Sequence, residues 1–327
     1  MTGLSDSFQR PIDYLRVSVT DRCNLRCIYC MPAGGVRLMS HEDTLSYEEI
    51  YTVAEAAAEL GINKVKITGG EPLVRAGLPE LTRMLTQIDA IDDISLTTNG
   101  ILLAQYAAEL KQAGLRRVNI SLDTLKPDKF EYITRGNNLD DVLKGIEVAK
   151  SIGLNPIKIN MVVMAGINDD ELLDFAAMTI TEGWHVRFIE HMPLIGDGAT
   201  TSPFVPVSDI RQRLEVLGEL EPYPLKMGNG PAKYFRLPQA EGTIGFITPV
   251  SEHFCFHCNR LRLTSDGKLR LCLLGEEEID LRQPLRSGIS FVELKRLIAE
   301  AVASKPLRHN LAECHVPQSR PFSQVGG

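Results

Sequence analysis

Lys64-Val65-Lys66-Ile67-Thr68-Gly69-Gly70-Glu71-Pro72-Leu73 is the stretch on which the fold turns. A run rich in β-branched residues ends in a glycine pair, and Pro72 fixes the exit of the chain. A helical pattern follows over residues 78–88, then a second apolar run over 94–98. Strand, loop, helix and strand in that order is the unit of a parallel sheet covered by helices. The unit recurs along the chain. Strand-like runs lie at residues 15–20, 65–68, 94–98, 117–122, 156–164 and 186–191. Helical patterns lie at 47–60, 78–88, 103–113, 139–152, 169–181 and 208–217. Ser46 and Glu49 have the spacing of a capping box, and acids at 169–171 suit a helix start. Six such units predict an α/β fold, an incomplete (β/α)6 TIM-type barrel over residues 1–220.

Past residue 220 the texture changes. Short runs at 233–237, 243–248, 261–264 and 268–272 read as antiparallel strands, with Asp266-Gly267 as a hairpin turn. An amphipathic helix fits 291–303. Residues 221–327 are therefore expected to form a separate C-terminal region that closes the barrel.

The chain has 327 residues, 44% hydrophobic and 24% charged, with a formal net charge of −7. That balance supports a large core and argues against a general nucleic-acid coat. No apolar run reaches the ~18 residues of a membrane span. Residues 1–11 have neither an apolar h-region nor an Arg-rich pattern, so a cytoplasmic protein is expected. Seven cysteines in such a chain point to metal or catalysis, not to a disulfide framework.

Six of the cysteines form two triplets. Cys23, Cys27 and Cys30 fall on the loop after the first strand, where a barrel places its chemistry. A structural zinc site wants four ligands, and a 4Fe–4S cluster usually takes four cysteines. Three ligands leave one metal position open, where a cofactor can bind through amino and carboxylate groups. The rival is a zinc site completed from a distance, for instance by His41. Cys255 and Cys258 precede one strand, and Cys272 ends the next, so a hairpin can gather them. Here His253 or His257 could complete a zinc site. Cys314 stands alone in the tail.

Arg16, Lys66, Lys158 and Arg187 each sit inside a strand pattern, and Arg260 and Arg262 flank Leu261. Alternation points these six cations to one side, toward the barrel lumen. Buried cations need anions. A polyphosphate would serve, and so would internal salt bridges to Glu190 or Asp123. The Gly69-Gly70 turn can seat a cofactor's amino group. Thr97-Thr98-Asn99-Gly100 and Ser121-Leu122-Asp123 suit a ribose or a carboxylate.

The first triplet, with Tyr29 before its last cysteine and with Gly69-Gly70-Glu71-Pro72, resembles the radical S-adenosylmethionine superfamily. The second triplet, Asn259-Arg260-Leu261-Arg262-Leu263 and the closing Gly326-Gly327 narrow the resemblance to its GTP 3′,8-cyclase family of molybdenum cofactor synthesis. The likeness runs from Arg10-Pro11 to Gly327. It implies two 4Fe–4S clusters, on Cys23/Cys27/Cys30 and on Cys255/Cys258/Cys272, with S-adenosylmethionine on the first and guanine facing the second. It implies cofactor contacts from Tyr29, Gly70, Ser121 and Met192. GTP contacts are implied for Arg16, Lys66, Thr97, Lys158, Arg187, Arg260 and Arg262, with Arg16, Arg260, Arg262, Gly326 and Gly327 as the catalytic set. The implied reaction takes hydrogen from the ribose 3′ carbon and joins that carbon to guanine carbon 8. Implied partners are an electron donor and a downstream cyclic pyranopterin monophosphate synthase, the chain itself being a monomer or homodimer. Lys66 departs from the family, where many relatives carry Arg. The rival functions are a radical peptide-modifying enzyme with an auxiliary cluster and a zinc-stabilised binding protein; the basic lumen speaks against a peptide substrate.

Overall fold

The computed structural model describes residues 3–192, 204–224, 229–309 and 320–326; Gly327 and Cys314 lie outside them. Its strands are β1 (Tyr14–Ser18), β2 (Lys64–Thr68), β3 (Asp93–Thr98), β4 (Arg117–Ser121), β5 (Lys158–Val163) and β6 (His185–Glu190). After them come β7 (Glu221–Pro222), β8 (Lys233–Arg236), β9 (Thr243–Ile247), β10 (Arg260–Leu263), β11 (Lys268–Arg270) and β12 (Glu278–Asp280). All twelve form one sheet in the order β12-β11-β10-β1-β2-β3-β4-β5-β6-β9-β8-β7.

The core follows from strand alternation. Val65 and Ile67 on β2 and Val118 and Ile120 on β4 are fully buried. They pack in one cluster with Ile50, Val53, Leu81 and Leu110 of the covering helices. Each such aliphatic side chain contributes ~1.5–3 kcal/mol on burial. The helix Tyr47–Glu59 starts as expected. The Ser46 hydroxyl accepts the Glu49 amide at 3.1 Å, and the Glu49 carboxylate accepts the Ser46 amide at 2.7 Å.

Two features differ from the sequence expectation. β9 and β10 join the sheet in parallel on one edge, β9 beside β6 and β10 beside β1, while keeping the expected antiparallel partners β8 and β11 on the other. The parallel array therefore runs through eight strands, from β10 to β9. Alternation within a strand encodes which face is apolar, not the direction of its neighbour. Antiparallel pairing is confined to the flanks, where β11 and β12 extend β10 and where β8 and β7 extend β9. The second difference is a helix, Pro127–Thr134, absent from the sequence reading. Its eight residues bury only Phe130, Ile133 and Thr134, too few to display a helical period. No helix among the described residues is long and apolar enough to cross a membrane.

Candidate functional site

The inward positions of the parallel strands line a cavity of about 330 Å³, and both cysteine triplets open onto it. The loop after β1 carries the first. The Cys30 and Met31 amides donate to the Cys27 carbonyl at 2.9 and 3.0 Å, which curls the three thiols together. The Arg26 and Ile28 amides donate to the carbonyls of Thr134 and Ile133, so the unforeseen helix pins this loop. Burial pushes the Cys23 thiol up to about 11 and the Cys30 thiol up to about 12. Cys27 is raised well above its ordinary value by burial, then by Cys30, Asp123 and Cys23. As bare groups these thiols stay protonated; a bound cationic metal centre inverts that preference.

The loop after β2 is fastened to the triplet loop. The Gly70 amide donates to Thr20 at 2.7 Å, and the Glu71 amide to Arg22 at 2.8 Å. A Cβ on Gly70 would lie 2.4 Å from the Arg22 carbonyl oxygen, so only glycine permits this approach. The buried Glu71 carboxylate reaches onward, accepting the Thr98 hydroxyl at 2.7 Å and the Asn99 amide at 2.6 Å. Burial lifts its pKa to about 7. Asp123 does the same for the other wall: it accepts the Tyr29 phenol at 2.8 Å and the Val162 amide at 2.8 Å. Tyr29, Gly70, Ser121 and Met192 all line this end of the cavity.

The second triplet closes the opposite side. Cys255 lies in a short turn, Cys255–His257; Cys258 precedes β10, and Cys272 follows β11. Burial raises the Cys258 thiol, but Arg260 and Lys305 outweigh it and bring it to about 7. His253 and His257, and His41 near the first triplet, are exposed and do not line the cavity wall. His309 lines the wall instead. Among the described residues no three His, Cys, Asp or Glu side chains gather tightly enough for a single ion, as a mononuclear zinc site requires.

Between the triplets stand the cations. Register places Arg16 beside Lys66 on one side and beside Arg262 on the other. Lys158 and Arg187 face them from β5 and β6. Glu190 is engaged by the Val250 and Ser251 amides at 3.1 and 2.9 Å, and Asp123 by Tyr29, so neither serves as their counter-ion. No ion pair among the described residues involves Lys66, Lys158, Arg187, Arg260 or Arg262. Arg187 keeps Nε and Nη2 buried with no hydrogen-bond partner. Burial, then Arg187 and Arg16, holds Lys66 well below the lysine range; burial, Arg187 and Arg117 bring Lys158 to about 6. A cavity of this kind is built for a polyanion.

Comparison with known proteins agrees with this geometry. A family model described as the Radical SAM superfamily matches residues 17–179, and one described as Molybdenum Cofactor Synthesis C matches residues 184–311. The GTP 3′,8-cyclase of Moorella thermoacetica is 52% identical over 99% of this chain and 100% of its own length. That of Pelotomaculum thermopropionicum is also 52% identical, with coverage of 99% and 100%. The chain belongs to the GTP 3′,8-cyclase family. Among solved structures, Streptococcus suis SuiB bound to S-adenosylmethionine superposes with a TM-score of 0.62 over 87% of this chain and 68% of that one. At 13% identity that likeness speaks for the fold alone.

Of the double-glycine ending by which the sequence resembles the cyclase family, the described residue Gly326 lies against the cavity's cations. Phe322 and Ser323 line it, and the Gly326 carbonyl accepts from Arg262 Nη1 at 2.7 Å and Arg16 Nη2 at 3.3 Å. Gly326 has φ +69°, and a Cβ there would lie 2.8 Å from Thr68 Cγ2. Arg320 anchors the tail by a bidentate pair with Asp266, at 3.0 and 2.8 Å, and by a bond to Glu278 at 2.9 Å. Thus Arg16 and Arg262, expected to face only the substrate, also hold the tail. Thr97 lines the cavity as expected. Asn119, Asn160, Asn229 and Phe254 line it too and escaped the sequence reading. Asn119 and Asn160 could have been found, since each interrupts an apolar strand at an inward position.

Proposed function

We propose that this cavity binds GTP beside S-adenosylmethionine and cyclises it by a radical route, the first step of molybdenum cofactor biosynthesis. The observation that carries the reading is that two cysteine triplets and a buried, anion-poor set of cations open onto the same cavity. Cys23, Cys27 and Cys30 would hold the iron–sulfur cluster that binds S-adenosylmethionine, and Cys255, Cys258 and Cys272 a second cluster facing the guanine. When bound, the cluster and S-adenosylmethionine supply a 5′-deoxyadenosyl radical that takes hydrogen from the ribose 3′ carbon, which then joins guanine carbon 8.

The chain itself contributes grip, position and dryness. Tyr29, Gly70, Ser121 and Met192 bound the S-adenosylmethionine end. Lys66, Lys158, Arg187 and Arg260, with Thr97, Arg16 and Arg262, take the nucleotide; the guanidiniums bind phosphate oxygens bidentately and Lys66 binds as a point charge. Gly326, held by Arg262 and Arg16, sits against the substrate. Residues 1–220 supply the radical chemistry and 221–327 the substrate wall. An external electron donor and a downstream synthase complete the sequence of reactions. Anaerobic protein, reconstituted with iron and sulfide and given S-adenosylmethionine, GTP and dithionite, should yield 5′-deoxyadenosine and a cyclised dihydroguanosine triphosphate. Formation of 5′-deoxyadenosine with GTP left intact would overturn the reading.

A further inference from the structure

We infer that Lys305 is a positioning residue for the second cysteine triplet, a buried ammonium that ties the triplet's two arms together and offsets the charge of its thiolates. The inference rests on reading Cys255, Cys258 and Cys272 as cluster ligands. One arm is the Cys255–His257 turn with Cys258, leading into β10; the other is Cys272, just past β11. Lys305 follows the helix Phe291–Ala303 and is 2% exposed. Its Nζ donates to the Arg260 carbonyl at 2.9 Å and to the Leu271 carbonyl. Arg260 stands two residues after Cys258, and Leu271 one residue before Cys272. A single ammonium thus spans both arms.

The charge needs a partner as much as the hydrogen bonds do. An ammonium has three donors and no acceptor, and a buried one without an anion is costly. Among the described residues Lys305 bonds only to carbonyls. Among the described residues the acidic groups that act on it are the thiols of Cys258 and Cys272. Arg10 makes the contrast. It is also buried and holds the backbone of this region, donating to the Cys255 carbonyl at 2.7 Å and to Pro306 at 2.7 Å. Its Nε, however, pairs with Asp6 at 2.5 Å. Arg10 is neutralised by a carboxylate, whereas the acidic groups set beside Lys305 are the thiols of the second triplet themselves.

The test uses the full-length chain with Cys23, Cys27 and Cys30 replaced by alanine, so that bound iron belongs to the second triplet. After anaerobic reconstitution the parent should carry about four irons per chain, with a reducible cluster visible by electron paramagnetic resonance. Lys305→Met removes the charge at similar length. It should lose most of that iron, or keep it with a midpoint potential moved to more negative values, because a nearby positive charge favours the reduced state. Lys305→Arg should hold iron and potential near those of the parent. Should the methionine variant fail to fold, Lys305→Gln carries the same expectation. Parental iron content together with an unmoved potential in the neutral variants would overturn the inference, as would an arginine variant as deficient as methionine. A parent that takes up no iron in this background, or zinc in its place, would instead sink the reading of the second triplet itself.

Discussion

Lys158→Met should make the protein more stable and its nucleotide site weaker. Lys158 is 2% exposed on β5 and makes no ion pair among the described residues, Asp93 acting on it only at longer range. Burial, then Arg187 and Arg117, brings its pKa from 10.5 to about 6. The unfolded chain restores the ordinary value. Between those two values each pH unit counts about 1.36 kcal/mol against the fold, so the bare penalty at pH 7 is about 5 kcal/mol. Water in the cavity and local relaxation screen it, and we expect ~2 kcal/mol. The sign follows from a lysine whose folded pKa is depressed. The penalty vanishes above about 10.5, grows as pH falls, and levels off below about 6. Methionine removes it with a flexible apolar chain of similar reach. For 327 residues, ~2 kcal/mol corresponds to about 3 °C in Tm. The loss appears on the ligand side. A charge-assisted contact is worth ~1.5–3 kcal/mol, so GTP should bind roughly ten- to hundredfold more weakly. The triphosphate also draws a proton onto Lys158, and the wild type should take up more protons on binding than the variant. Ligand-free thermal melts from pH 6 to 10 and titration calorimetry in buffers of unlike ionisation enthalpy read both effects. A variant less stable than wild type at pH 7, with no narrowing of the difference toward pH 10, would show that an anion inside the protein already answers Lys158.

The other expectations concern division of labour. Cys23→Ser should abolish 5′-deoxyadenosine formation under dithionite, whereas Cys272→Ser should retain it and lose the cyclised nucleotide; equal loss of 5′-deoxyadenosine in both refutes the separation. Gly326→Ala places a Cβ 2.8 Å from Thr68 Cγ2 at φ +69°, so the ratio of cyclised product to 5′-deoxyadenosine should fall while iron content holds. Arg262→Ala should weaken GTP binding roughly ten- to hundredfold by calorimetry, and should also free the tail to limited proteolysis. Arg320→Ala should lower the same product ratio by releasing the tail's anchor, and the exchange of Arg320→Asp with Asp266→Arg should restore part of it; an unchanged ratio in the alanine variant assigns the anchor to stability alone.

What the sequence made legible, and what it hid, has a common physical origin. A strand's period of two announces which residues share a face. Arg260 and Arg262 around Leu261, or Lys66 between Val65 and Ile67, are therefore assigned inward by alternation alone. The same period says nothing about which strand lies alongside. That Arg262 stands next to Arg16 depends on β10 returning in parallel to β1 across more than two hundred residues. The hairpin turn announces the antiparallel pairing of β10 with β11, and that pairing holds, but nothing local announces the second, parallel neighbour on the other edge of β10. Single charges in irregular segments carry no period at all. Nothing local marks Lys305 after its helix or Arg10 before β1, yet both are buried and bond to backbone carbonyls around the second triplet. His253 and His257, beside the cysteines in sequence, are exposed, whereas His309, far from them in sequence, lines the cavity. Residue chemistry, in short spacings and strand faces, was thus readable from local pattern, but the assembly of that chemistry depended on long returns of the chain. The assembled cavity then concentrates what folding alone would avoid: thiols raised by burial, lysines depressed by burial and neighbouring arginines, and an ammonium bonded only to carbonyls. Each of these costs falls when metal or polyphosphate arrives, so the ligands complete the electrostatics of the fold as well as its chemistry.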